Sequence, residues 1–179
     1  MAQTTDEKSH RSATGAAPRL SSARLAAVQA IYQMEMTGVG ADIVVGEFLL
    51  HRGGAELDES GHVAEADRAL FVELVRGVAE HHAEIDRMLA SLLVEEWPLE
   101  RIEKVMAAIL RAGAYELGHR PDVPARVVIS EYVDVAHAFL DKREVGMVNG
   151  VLDGLARHLR AAEMGPTGEK RKAGSDQAG

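Results

Sequence analysis

The sequence predicts an all-helical protein of about six helices in two sets of three, on three observations. Apolar residues recur at intervals of three and four from Leu25 to Leu159, and no stretch alternates as a half-buried strand does. Aromatic residues are only 4% of a chain that is 46% apolar. The core must therefore be built from Ala, Leu, Val, Ile and Met, a composition that suits close helix packing better than a β-sandwich. Proline and glycine mark the breaks between the periodic segments, at Gly38, Gly53-Gly54, Pro98, Gly118 and Pro124.

The first helix is predicted from about Ser21 to Met36, capped by Ser21 or Ser22 and ended at Thr37-Gly38. Its apolar face is Leu25, Val28, Tyr32 and Met36, widened by Ile31. A shorter helix follows Asp42 as N-cap, carries Val44, Val45, Phe48 and Leu49, and stops at Gly53-Gly54. Residues 53–64 read as a polar loop. One long helix then starts near Glu65, with Leu70, Leu74, Val78, Ile85, Leu89 and Leu92 as its stripe and His81 or His82 bridging the gap.

Glu96-Trp97-Pro98 ends that helix, and Pro98 is expected to open the next, because proline suits a first turn and cannot continue a helix. Ile102, Met106, Ile109, Gly113 and Leu117 share one face of it, with Gly113 allowing close helix approach. Pro124 opens another helix, on Val128, Tyr132, Val135 and Phe139. Asp141 to Glu144 reads as a charged connection, and the last helix runs from about Val145 to Leu159. Within it, Gly150 costs about 1 kcal/mol against Ala, which points to tight packing there. The expected organisation is a disordered tail over 1–18, an N-terminal helical bundle over 19–96, a C-terminal helical bundle over 97–164 and a second disordered tail over 165–179.

Composition removes several classes of function. The chain has no cysteine, so disulfides and cysteine-based metal sites are excluded. Met1 to Pro18 has no apolar run of the signal-peptide type, and no window approaches the roughly 18 apolar residues of a membrane span. A cytoplasmic protein is expected. His81 and His82 are adjacent, point about 100° apart on a helix, and cannot clasp one ion together. No serine stands in a Gly-x-Ser-x-Gly elbow, and Ser91 and Ser130 read as helix-bonded or boundary residues. Gly53-Gly54 follows a helix rather than a strand, so it does not read as a phosphate loop. No enzyme, metal, cofactor or small-molecule substrate is expected.

A binding function remains. A net charge of −8 argues against broad contact with nucleic acid, so any RNA site must be local. Arg19 and Arg24, with Lys8, His10 and Arg11 upstream, make a modest basic approach to the first helix. Such a site can hold RNA phosphates with Tyr32 as a stacking platform. The other reading is a lightly charged helix start with Tyr32 in the core. Lys170-Arg171-Lys172 likewise reads either as a phosphate contact or as a solubilising tail.

The run Ile109-Leu110-Arg111-Ala112-Gly113-Ala114-Tyr115-Glu116-Leu117 is followed by Arg120-Pro121-Asp122-Val123-Pro124, by Val128-Ile129-Ser130-Glu131, and by Val148-Asn149-Gly150-Val151-Leu152-Asp153. Together with Ala23-Arg24-Leu25-Ala26-Ala27-Val28-Gln29-Ala30-Ile31-Tyr32, this order and spacing resemble the NusB family of bacterial transcription antitermination factors. The resemblance implies two packed three-helix bundles and no catalysed reaction. It implies pairing with the small-subunit ribosomal protein also called NusE, joint binding of boxA RNA, and membership of an RNA polymerase antitermination complex that supports ribosomal RNA transcription.

The chain departs from the family pattern at its edges. The dense arginine cluster before the first helix is reduced to Arg19 and Arg24, with Arg11 farther out. Met147 stands where an aromatic residue is common. Lys142 and Arg143 replace some of the lost charge. The expected RNA-binding residues are therefore Arg19, Arg24, Tyr32, Lys142, Arg143 and Met147. The alternative is a helical protein-interaction module with weak or no RNA binding of its own. A third reading, the recruitment module of an RNA methyltransferase, needs a Rossmann-type domain with a glycine-rich loop, which the sequence lacks.

Overall fold

Alanines decide how the first helix packs. In the computed structural model, whose described residues are 7–52, 65–94 and 97–165, with side chains described over 19–50, 68–94 and 97–165, α1 runs Glu7–Thr37. Ala23, Ala27 and Ala30 are buried beside Val28 and Ile31, and these small residues let α1 close onto two neighbouring helices, α3 (Glu65–Glu80) and α5 (Lys104–His119). The buried face is therefore turned from the expected one, and Tyr32 and Met36 are left exposed. The helix also begins before the expected Ser21, so residues 7–18, expected as tail, are helical. Propagating a helix from an anchored segment fixes one residue per hydrogen bond and avoids a new nucleus. Gly38 ends it at φ +71°, a conformation that favours glycine, and donates its N–H to the Met34 carbonyl at 2.8 Å.

The second helix, α2, is Ala41–Arg52, with Val44 and Val45 buried as expected. Asp42 is not its N-cap. It lies inside the first turn and pairs with Arg76 at 2.9 Å. The single long helix expected from Glu65 is instead two, α3 and α4 (His82–Ala90), broken at His81 (φ −99°, ψ 16°). The break redirects the chain while Leu70, Leu74, Val78, Ile85 and Leu89 all stay buried. Periodicity continued through it because the spacing from Val78 to Ile85 fits an unbroken helix equally well.

Pro98 starts no helix. It begins a turn in which Arg101 N–H reaches its carbonyl at 2.9 Å, and α5 starts only at Lys104, after Glu103. The turn tucks Leu99 and Ile102 into the core. Every residue of α5 from Met106 to Leu117 is buried, because α1, α3, α4, α6 and α7 all pack on it. Pro124 does cap the next helix, α6 (Ala125–His137), which buries Val128, Ile129, Tyr132, Val135 and Ala136. Phe139 falls beyond its end and is exposed.

The last long helix, α7, is Lys142–Leu159, and α8 is the short Ala161–Met164. The expected charged connection is in fact a capping box. Asp141 accepts from Glu144 N–H at 2.9 Å and Glu144 accepts from Asp141 N–H at 3.0 Å. All described elements are helices. α1, α2 and α3 pack together, as do α5, α6 and α7, and one continuous apolar core joins the two groups through α1 and α5.

Two glycines show close approach and one does not. A Cβ on Gly113 would press on Leu152 at 2.9 Å, so α5 and α7 meet there as expected. A Cβ on Gly77 would overlap the Tyr115 ring, a contact the pattern of α3 does not reveal. Gly150 faces open space and Asn149 is exposed, so the expected tight packing at that point is absent. The loop at 53–64 and the segment 166–179, with Lys170 to Lys172, lie outside the described residues.

Candidate nucleic-acid interface

The expected RNA-binding residues do not gather at one place. Arg24 faces inward from α1 and is 3% exposed. Its Nε donates to Glu116 Oε2 of α5 at 3.0 Å and its Nη1 to Glu131 Oε2 of α6 at 3.2 Å. The Tyr132 hydroxyl donates to the same Glu116 oxygen at 2.9 Å, and the Ser21 hydroxyl donates to Glu131 at 2.7 Å. The structure therefore turns Arg24 inward: its guanidinium is committed to two carboxylates inside the protein and is shielded from a phosphate in solvent. Its position near a predicted helix start suggested exposure, but glutamates on two other helices draw it in.

This network is an electrostatic balance. Burial works against the charge on Arg24, yet the hydrogen bond and charge of Glu116 outweigh it and hold the pKa above the ordinary arginine value. Burial pushes the Tyr132 phenol well up, and the neighbouring Glu116 carboxylate adds to the effect. Glu116 is fully buried, and nothing in the helical period marked it, because an acidic residue two places before a turn reads as surface. A buried carboxylate needs such partners, since an unpaired one is strongly disfavoured.

A second arginine is held in the same way. Arg111 of α5 donates to Asp86 of α4 through Nε at 2.7 Å and Nη2 at 3.0 Å. Its Nη1 lies 3.2 Å from Glu35 of α1 without an aligned hydrogen bond. His82 stands between the same two carboxylates, 3.2 Å from Glu35 and 3.6 Å from Asp86. His81 instead packs against His119 with the rings tilted, centroids 4.4 Å apart. Among the described residues no three side chains are grouped to hold a metal.

The other expected residues are at the surface. Tyr32 is 39% exposed, in neither a core nor a basic setting. With Val28 and Met36 it forms one wall of an open groove, and Val105 and Phe139 form the other. Glu103 and Lys104 stand at the same groove, so its charged rim is balanced. Arg19 is exposed on α1, about three turns after its start.

Lys142 and Arg143 are exposed on the first turn of α7, and no described carboxylate lies within ion-pair distance of either. The carboxylates beside them, Asp141 and Glu144, are tied to backbone amides by the capping box. The Arg143 guanidinium lies over the Trp97 ring, 5.1 Å from its centroid. Met147 is half-buried one turn later and packs against the core. The start of α7 thus presents two exposed cations, Lys142 and Arg143, joined through Leu140 and Asp141 to the Phe139 edge of the groove.

The sequence of this helical framework matches the NusB family pattern over residues 21–157. This chain belongs to the NusB family. A NusB-family relative, transcription antitermination protein NusB of Nitrobacter hamburgensis, is 53% identical over 147 residues, covering 82% of this chain and 91% of that protein. The protein of the same name from Bradyrhizobium sp. strain BTAi1 is 52% identical over 150 residues, covering 84% and 88%. Among solved structures, T. maritima NusB superposes with a TM-score of 0.67 at 27% identity, covering 80% of this chain and 95% of that one. A second solved NusB, crystallised with NusE and double-stranded RNA, shares the fold at 21% identity, with a TM-score of 0.64 and coverage of 79% and 98%. Antitermination of transcription is the function of the family to which the chain belongs.

Proposed function

We propose that the chain is a transcription antitermination factor that binds boxA-type RNA together with the small-subunit ribosomal protein NusE. It acts in the cytoplasm, within an RNA polymerase antitermination complex that supports ribosomal RNA transcription. The observation that carries this reading is the NusB-family match across both helical groups. The solved NusB bound to NusE and double-stranded RNA supports the choice of partners. None of the described helices is long and apolar enough to cross a membrane.

Local chemistry divides the surface between the two partners. RNA phosphates need positive charge at the surface, which Lys142 and Arg143 supply from the start of α7 and the exposed Arg19 supplies from α1. The groove of Tyr32, Met36, Val105 and Phe139 is apolar with a balanced rim, so it suits side chains of the protein partner better than a polyanion. Met147 supports the α7 turn from below rather than touching RNA, since it packs on the core.

The test is a gel shift with boxA RNA and a U-to-C scrambled RNA, each with and without the ribosomal protein. Preferential shift of boxA with the partner present is expected. Equal shifts remove sequence-specific recognition. Partner binding without any RNA shift establishes the second reading, a protein-interaction module, which the net charge of −8 and the inward turn of Arg24 favour.

A further inference from the structure

Trp97 is the chain's single tryptophan and lies beneath Arg143 of the exposed first turn of α7. It is half-buried, in the turn between α4 and α5, and its indole packs against the apolar core. Arg143 reaches across to it from the start of α7. The two residues are far apart in sequence and are brought together only by the packing of α7 beside the end of α4.

A guanidinium on a long exposed side chain ordinarily samples many rotamers, and fixing it on a ligand costs much of that freedom. An indole beneath it removes part of the cost beforehand, because the π face attracts the cation and the flat surfaces stack. Stacking occupies one face of the guanidinium. It leaves the in-plane N–H groups directed outward, where a planar fork can bind two oxygens of one phosphate. The surroundings favour this. Asp141 and Glu144 are held to amides by the capping box, Lys142 is adjacent, and no described carboxylate pairs with Arg143.

We propose that Trp97 is a positioning residue for RNA binding: its indole holds the Arg143 guanidinium flat so that its edge takes one backbone phosphate in a bidentate contact. This rests on the RNA-binding function proposed above. Lys142 adds charge beside this contact without a fixed direction. Lysine at position 143 would not replace arginine, since an ammonium binds as a point charge.

The test uses the full chain with its ribosomal partner and boxA RNA. Intrinsic tryptophan emission is followed during RNA titration, with Trp97→Phe as the background. RNA seating on the Arg143 edge is expected to change Trp97 emission in step with binding, and Arg143→Ala is expected to abolish that change. Arg143→Ala should weaken binding about tenfold and lower the slope of log affinity against log salt by about 0.7–0.9, one phosphate. Trp97→Leu should weaken binding about three- to fivefold while keeping that slope, because the charge remains and only its positioning is lost. Arg143→Lys should also keep the slope and lose affinity. Trp97→Phe, which retains a π face, should recover most of the binding. Unchanged melting of Trp97→Leu assigns its loss to positioning. If that variant melts earlier, the Arg143→Lys and Trp97→Phe results decide. Normal boxA binding with silent Trp97 emission and an unaltered Arg143→Ala slope overturns this inference and leaves the function standing. Absence of RNA binding in every arm overturns both.

Discussion

Arg24 and Arg143 both lie beside the family's characteristic segments, and the sequence assigns both to RNA. Arg24 faces two glutamates across helix interfaces and ends inside the protein. Arg143 faces a tryptophan and solvent. The difference lies in what the opposite helix presents. Glu116 and Glu131 arrive on α5 and α6 at the height of Arg24, whereas the acidic neighbours of Arg143 are already bound to amides. An arginine's task is therefore fixed by the acids that share its face of the folded chain, and a linear reading does not show which ones do.

The largest effect that can break this comparison is expected from Arg24→Ala. Removing one partner of a buried pair leaves Glu116 uncompensated and should cost about 3–5 kcal/mol in urea unfolding. Replacing Arg24, Glu116 and Tyr132 together by Met, Leu and Phe should recover most of that loss, since the fully buried charges are then gone and Glu131 keeps its Ser21 bond and its contact with solvent. If Arg24→Ala lowers RNA affinity without lowering stability, the inward assignment is wrong. The same network predicts a pH response. Its tyrosine pKa is raised, so the contribution of the neutral phenol is complete below the ordinary tyrosine value and is lost as pH rises through the folded-state value. Near-ultraviolet titration should show the Tyr132 phenolate appearing only together with unfolding.

Glycines sharpen the contrast between interior and edge at a smaller scale. Gly77→Ala should destabilise by about 1–3 kcal/mol, because Tyr115 must leave its stack with His119. Gly150→Ala, in open space, should stabilise by about 1 kcal/mol in thermal melts unless RNA or protein contacts that face. Asp141→Ala removes the α7 cap and should cost about 1 kcal/mol. The smallest effect on stability is expected from Lys142→Ala, within about 0.5 kcal/mol, with its consequence confined to the salt dependence of RNA binding.

Much of the fold was legible because it is local. Pro124 and the apolar period of α6 and α7 follow from neighbours within one helix, and a glycine on the buried stripe of α5 marks the approach at Gly113. Asp141-x-x-Glu144 carries a capping signal, but four charged residues in a row give it the composition of a linker. Pro98 misled because the residues after it form a turn whose apolar members, Leu99 and Ile102, keep helical spacing. Phe139 fitted the stripe of α6 but lies past its end, where it can only line the groove. The site was less legible. Lys142 and Arg143 stood out by charge, whereas Glu116 beneath Arg24 and Trp97 beneath Arg143 become partners only through tertiary packing.

Arg160 closes the molecule in a different sense. Its guanidinium donates to the carbonyls of Glu116, Leu117, Arg120 and Val123, the end of α5 and the turn beyond it. The Glu116 and Arg120 carbonyls already accept the N–H groups of Arg120 and Val123, so Arg160, which lies 43 residues beyond Leu117, gives each of them a second donor. The connection between α5 and α6 is thus clasped by a side chain from the end of α7, so a change at Arg160 is felt at a turn it does not adjoin in sequence.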